Sequence, residues 1–362
     1  IISGSEVLKS SNKTTYNGNY GLNAQWTVYN GSKRLKTIEQ EKLNNRVADL
    51  DVATSENDIE QSIAQVYIQI LYAAESVKVN ENTLQVSEAQ RDRGKQLLDA
   101  GSIARSDYAQ LEAQVSTDRY QLVTAQATLQ DYKLQLKQLL ELDGEQEMQV
   151  YLPALGDENV LSPLPTKTDV FRSAVALRPE IEASKLSVEA SELGIRIAKS
   201  GYLPSVSLTA GIGTNHTSGS DFTFGEQVKN GWNNSIGLSI SVPIFNNRQT
   251  KSAVEKAKLQ YQTSQLTLLD EQKTLYKTIE GLWLDANSAQ QRYAAAIEKL
   301  HSTQTSYELV SEQFNAGMKN TVELLTEKNN LLQAQQELLQ SKYMAILNTQ
   351  LLKFYQGDKI TL

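Results

Sequence analysis

Cysteine is absent from the 362 residues, which excludes disulfides, thiolate metal sites and cysteine nucleophiles and is compatible with an oxidising compartment. Histidine is scarce. His216 and His301, the two imidazoles, lie in a polar loop segment and a helical segment, so neither a histidine metal cluster nor a serine–histidine triad is expected. No apolar run approaches the ~18 to 20 residues of a transmembrane helix, so any membrane contact must come from strands or from assembly. No basic stripe interleaved with aromatics is present, and a net charge of −7 with a pI near 5.2 argues against a nucleic-acid partner. Aromatic residues make up 7% and the mean hydropathy is −0.42, leaving little material for large compact cores. The chain opens at Ile1 without a Met, a basic n-region or an apolar h-region, so no signal peptide is visible.

Proline is missing where it would matter most. Pro153, Pro163, Pro165 and Pro179 share one middle segment, Pro204 and Pro243 flank a pair of extended segments, and residues 31–142 and 244–362 contain none. A helix-interior proline costs about 3 kcal/mol, so these two stretches are free to form very long helices.

What is present is written twice. Gly21, Leu22, Tyr29, Asn30, Tyr67, Gly101 and Asp107 recur as Gly237, Leu238, Phe245, Asn246, Trp283, Gly317 and Glu323, all at an offset of 216 residues. The register holds without a gap. Two long copies indicate duplication of a strand, a long helix, a glycine turn and a return helix rather than a solenoid.

Within the proline-free stretches the apolar period is helical. Leu122, Ala125, Leu129, Tyr132, Leu136 and Leu139 step by three and four, and Leu324, Leu331, Leu338, Ala345 and Leu352 step by seven, with Leu325, Leu332, Leu339 and Ile346 beside them. That spacing predicts coiled-coil-like packing. Outer positions such as Gln61, Gln65, Gln69, Gln114, Gln121 and Gln126 are hydrated but weakly charged, as on a solvated face or the lining of a water-filled tunnel. Helix carboxylates alternate with Lys and Gln and read as surface charges; no pair stands out for acid–base catalysis, and no enzyme is expected.

Three segments alternate with period two instead. Tyr20, Leu22, Ala24, Trp26 and Val28 share one face, as do Val206, Leu208, Ala210 and Ile212, and Ile236, Leu238, Ile240 and Val242; Ser, Thr, Asn, Gln or Gly occupy the other. The pattern suits a membrane β-barrel and any half-buried sheet alike. His216 to Asn234 reads as a long, polar strand connection.

Four short signatures then appear in order: Ala176-Leu-Arg-Pro-Glu-Ile181, Gly201-Tyr-Leu-Pro-Ser-Val-Ser-Leu208, Val242-Pro-Ile-Phe-Asn-Asn247 and Ala316-Gly317. Together with the duplication they make the chain similar to the TolC-type outer-membrane efflux channels over nearly its whole length. The resemblance implies a mostly α fold with a small β part: long helical hairpins forming a trimeric α-barrel in the periplasm, continued by an outer-membrane β-barrel. It implies a first repeat over 1–142, an equatorial segment over 143–180, a second repeat over 181–355 and an equatorial tail over 356–362. A strand matching 201–213 in the first copy would fall before Ile1, so the resemblance implies an N-terminally truncated chain.

The function implied is passive export of small molecules (drugs, toxic compounds or metals) or proteins, by a homotrimer set in outer-membrane lipid. A periplasmic adaptor and an inner-membrane RND, ABC or MFS transporter would be its partners. The hairpin turns at Gly101 and Gly317 would form the periplasmic gate and adaptor-docking surface, with Asp107, Phe314 and Lys319 on the family's gate positions. Phe314 replaces a tyrosine there, and Lys319 replaces an arginine whose fork it cannot reproduce. Glu323, three times over in a trimer, would make a selectivity ring for cations, and Thr326 replaces a second inner aspartate. Tyr67 and Trp283 are expected to pack. The competing reading is a soluble periplasmic coiled-coil scaffold or adaptor, which leaves the duplicated strands unused.

Overall fold

A computed structural model of the protein describes residues 14–143, 148–153, 156 and 160–360. Parts of the expected equatorial segment (144–147, 154–155 and 157–159) and of the tail (361–362) lie outside the described residues. The elements in chain order are β1 (Asn17–Asn30), α1 (Lys33–Asp99), α2 (Arg105–Leu139), α3 (Lys167–Leu177), α4 (Pro179–Lys199), β2 (Ser205–Thr217), α5 (Phe224–Asn230), β3 (Asn233–Ser241), α6 (Gln249–Asn315) and α7 (Thr321–Gln356). The duplication is carried into the backbone. β1, α1 and α2 begin 216 residues before β3, α6 and α7, and α1 and α6 are both 67 residues long. At 1.5 Å per residue each of these two helices extends about 100 Å.

The chain divides into two compact units. The first, residues 1–46 and 186–266, holds one antiparallel sheet in the order β1-β2-β3. Its register sets Trp26, Leu208 and Leu238 in one cross-strand row and Ala24, Ala210 and Ile236 in the next. The alternate rows are Gln25–Thr209–Gly237 and Asn23–Gly211–Ser235. One face is therefore apolar and the other polar, as the period-two pattern predicts. Much of the apolar face is exposed among the described residues: Leu22 is 71% exposed, Ile236 84% and Leu238 66%, while Val206 and Leu208 are half-buried and Phe224 of α5 meets Tyr20 edge-on.

Three details differ from the expectation. A bulge between Thr27 and Tyr29 brings Tyr29, not Val28, opposite Val206 and hence into line with Ile240, because an extra residue reverses the alternation beyond it. The connection after β2 is not wholly irregular, since it contains α5, started by a capping box in which Thr223 N–H donates to Glu226 (2.9 Å) and Glu226 N–H donates to Thr223 Oγ1 (3.4 Å). Finally, α6 begins at Gln249 rather than near Asn246, because Asn247 (φ 48°) and Arg248 (φ 63°) form a left-handed step between strand and helix. Gly31 (φ 65°) and Ser32 (φ 63°) form the same step in the first copy. Equivalent bonds close both: Lys36 N–H to Ser32 O (3.1 Å) and Ser252 N–H to Arg248 O (2.9 Å).

The second unit, residues 47–185 and 267–362, is helical and carries the apolar core. α7 contributes to three clusters. Leu352 and Tyr355 join Val170 and Ala174 of α3, Ile181 of α4 and Leu275, Ile279 and Ala286 of α6. Tyr343, Leu347 and Leu351 meet Ile68 and Leu71 of α1, and Ala345 meets Ala289, Tyr293 and Val160. Each buried Leu or Ile stabilises by about 1.5–3 kcal/mol. The predicted seam is present: Leu324, Ala345 and Leu352 are fully buried, with Leu331 and Leu338 half-buried between them. Pro179 occupies the first position of α4, where a missing N–H costs nothing.

The middle segment is tied down by polar side chains at repeat-equivalent positions. Tyr67 donates its hydroxyl to Tyr151 O (2.8 Å), and Trp283 donates Nε1–H to Pro165 O (3.0 Å). Lys167 pairs with Glu280 (2.9 Å) and lies over the Trp283 ring. Arg178, from one of the four signatures, is buried with its guanidinium on the rings of Phe354 and Tyr355 (4.5 and 4.0 Å).

Candidate functional site

The two helical hairpin turns, both in the second unit, were built by the same local chemistry. Gly101 (φ 72°) and Gly317 (φ 73°) take the left-handed conformation, which costs an L residue about 1–2 kcal/mol. In the first turn Ser102 N–H donates to Leu97 O (2.7 Å) and Gly101 N–H to Leu98 O (2.9 Å); in the second Met318 N–H donates to Gln313 O (2.8 Å) and Gly317 N–H to Phe314 O (2.9 Å). Each return helix then starts with a carboxylate reaching back to its N-cap. Ala104 N–H donates to Asp107 (3.3 Å) and Asn320 N–H to Glu323 (3.2 Å). Asn320 adds the reciprocal bond, accepting from Glu323 N–H at 2.9 Å.

Around this frame the sequence-selected residues have specific surroundings. Lys319 Nζ pairs with Glu323 at 2.5 Å, one helical turn on, rather than with Asp107. The Lys319 ammonium first, and the Asn320 N–H second, hold the Glu323 carboxyl below its ordinary range. Asp107 is engaged by its own N-cap. Phe314 is 3% exposed, so it packs within the chain. Thr326 is satisfied locally, its hydroxyl donating to Val322 O at 2.8 Å. Met318 and Val322, by contrast, present exposed apolar surface at the turn.

Inside the hairpins the structure corrects the sequence reading of helix charges. Lys328 on α7 and Asp118 on α2 are 3% exposed and form an ion pair, with Ser87 of α1 bonded to both. Gln114 donates to the other Asp118 oxygen at 2.9 Å. Burial pushes the Lys328 ammonium down, partly opposed by Asp118. The network joins one hairpin to the other and breaks the repeat, since the equivalents of Ser87, Asp118 and Lys328 are Thr303, Ala334 and Glu112. Leu111 and Val115, seven and three residues before Asp118, and Leu324, four before Lys328, are buried on the same faces and were the available signal.

With sheet, turns and duplication described, the comparisons with known proteins decide the class. A sequence model of the family described as Outer membrane efflux protein matches residues 2–141 and 170–357. The chain belongs to the outer membrane efflux protein family. The two matched stretches fall on the two copies and bracket the middle segment. Among relatives of this chain, Outer membrane protein TolC of Escherichia coli (strain K12) is 25% identical over 335 residues, 89% of this chain and 66% of TolC. Cation efflux system protein CusC of Escherichia coli O6:H1 is 26% identical over 94% of this chain and 72% of CusC. Outer membrane efflux protein BepC of Brucella suis is 24% identical over 81% of this chain and 61% of BepC. The chain thus spans about two thirds of the length of such relatives.

Solved structures agree on the fold of this chain. Crystal structures of CusC superpose with a TM-score of 0.81 at 20% identity, covering 97% of this chain and 80% of CusC. The Vibrio cholerae outer membrane protein VceC gives 0.77 at 16% identity, covering 96% and 88%. The fold is that of TolC-like channels, mostly helical with a small sheet and an internal repeat. The family is one of outer-membrane channel proteins rather than enzymes, and the outer membrane is its place.

Proposed function

We propose that this chain is one subunit of a passive trimeric channel-tunnel that exports solutes across the outer membrane, its helical hairpins forming a barrel in the periplasm. The observation that carries the reading is the sheet: three strands with a largely apolar face, most of it exposed among the described residues, and with β1 and β3 each paired on one side only among them. Lipid cannot satisfy unpaired strand edges, so the sheet closes by joining copies from other subunits. Residues 1–142 and 181–355 act as the two repeats, with 143–180 and 356–362 as the equatorial belt.

The hairpin turns are the periplasmic gate and the docking surface for a periplasmic adaptor, with an inner-membrane RND, ABC or MFS transporter supplying the energy. Gly101, Asp107, Phe314, Gly317 and Lys319 form that gate. The exposed Met318 and Val322 beside the gate support a partner-facing role. Exported material is small molecules or proteins; the names of relatives run from a cation efflux system protein to a toxin and drug export protein and an alkaline protease secretion protein. Glu323, repeated three times, forms the cation-selective ring.

Full-length protein produced in a Gram-negative host is the test. Trimers extracted from the outer membrane that conduct in planar bilayers are the expected result; a soluble elongated monomer or dimer overturns the reading in favour of a coiled-coil scaffold or adaptor. In the conducting trimer, Glu323→Gln is expected to lower cation preference and weaken block by polyvalent cations. Unchanged selectivity removes the ring.

A further inference from the structure

In the first unit, the place where strands become helices gathers charge of one sign. Segments 31–38, 193–203 and 242–254 contain Lys33, Arg34, Lys36, Arg196, Lys199, Arg248 and Lys251 and not one Asp or Glu, in a chain whose net charge is −7. The fold brings the three together. Asn30 at the end of β1, Ser205 at the start of β2 and Ser241 at the end of β3 line one cavity of about 490 Å³ with Lys33, Gly201 and Thr250. Lys36 Nζ donates to Arg196 O (3.5 Å) and Ser200 Oγ (3.4 Å), and Thr250 Oγ1 donates to Gly201 O (3.3 Å).

Glu192 pairs with Arg196 (2.8 Å) and offsets one of the seven cations, while Glu255 pairs with Lys258 (2.9 Å) outside the cluster. Lys33, Lys199, Arg248 and Lys251 are exposed and have no ion pair among the described residues. Immediately beside them lies uncovered apolar surface: Ile244 is 96% exposed and Phe245 84%, with Val242 and Tyr202 also exposed. Apolar and aromatic groups backed by unpaired cations match a membrane interface, where hydrocarbon gives way to phosphate. Net charge complementarity selects a lipid whose headgroup is an anion over a zwitterionic one.

We infer that the strand-to-helix junction is a basic belt that docks anionic phospholipid headgroups of the leaflet nearest the helices. The inference rests on the membrane placement of the sheet proposed above. Lys33, Lys199, Arg248 and Lys251 hold the headgroup phosphates, while Ile244 and Phe245 enter the adjoining acyl layer.

The test uses full-length protein reconstituted into nanodiscs of phosphatidylcholine with or without phosphatidylglycerol, with retained lipid counted by mass spectrometry. Wild type is expected to retain phosphatidylglycerol over phosphatidylcholine by ~10-fold or more, a preference that salt weakens. The variant Lys33→Gln/Lys199→Gln/Arg248→Gln/Lys251→Gln is expected to fall to within ~2-fold of no preference. Lys199→Gln/Lys251→Gln, confined to exposed helix positions, covers the case in which the fourfold variant does not fold and is expected to show an intermediate loss. An unchanged preference in the variants, or none in wild type, overturns the belt; displacement of the lipid by inorganic phosphate assigns the cluster to a free anion and overturns it as well. Protease protection of the sheet is followed in parallel. Protein that inserts in neither membrane refutes the membrane placement itself, and the belt with it, whereas normal insertion without lipid preference refutes the belt alone.

Discussion

Lys328 and Asp118 show how much one buried pair depends on its surroundings. Removing one partner leaves a charge in an apolar interior, which costs about 3–5 kcal/mol, whereas replacing both by apolar residues of similar size is often near neutral. Lys328→Ala is therefore expected to lower the thermal midpoint of detergent-solubilised protein strongly, and Asp118→Leu/Lys328→Met to recover most of the loss. At the second turn the sign of the pH dependence follows from Glu323. Its carboxyl is held below the ordinary value of 4.5 by Lys319, so the stability it adds is fully present above that value and disappears as pH falls through the folded-state value. The difference in thermal midpoint between wild type and Glu323→Gln should close in acid; a difference that persists at low pH contradicts the ion pair. Asp107 and Glu323 were legible from the repeat and Lys319 from the family resemblance, but their partners were not. Lys319 lies just before the N-cap Asn320, so the carboxylate it meets depends on helix-start geometry, which turns Glu323 back toward it.

Among the elements, the long helices were readable because proline is absent from them and apolar residues recur with a helical period. Their ends were readable less well. The turn glycines were visible, whereas the left-handed step at Asn247 and Arg248 was not: Asn tolerates positive φ, but Arg ordinarily avoids it, so the pair does not announce the start of α6. α5 did carry a signal, the Thr223–Glu226 capping box, hidden in a polar stretch that otherwise reads as loop. The turns allow a clean test. A Cβ added at Gly101 or Gly317 meets no atom within 4 Å, so each Gly→Ala change costs only the left-handed backbone penalty of about 1–2 kcal/mol. Either variant should lower stability by that amount in denaturant unfolding, and no loss at all would contradict the geometry.

For the whole molecule, the largely exposed apolar face of the sheet is the feature that a single chain does not explain. Leu238, in line with Leu208 and Trp26, should tolerate no charge if it meets lipid: Leu238→Arg is expected to cost about 2–4 kcal/mol near the bilayer midplane and to reduce trimer recovered from the outer membrane. Ser239, in line with Ser207 on the opposite face, should accept arginine with normal assembly and a shift toward anion conductance. Equal recovery of the two variants would mean that the apolar face does not meet lipid.

The duplication, the helical hairpins, the alternating strands and the turn glycines were determined by the sequence alone, since each depends on periodicity or on the conformational freedom of single residues. The strand bulge that puts Tyr29 in the apolar row, the burial of Lys328 with Asp118 and the convergence of seven cations at the strand ends were decided only by tertiary structure. Bulges, buried pairs and charge clusters depend on what distant segments place opposite a residue; a local pattern can mark a helix face as buried but does not name the partner.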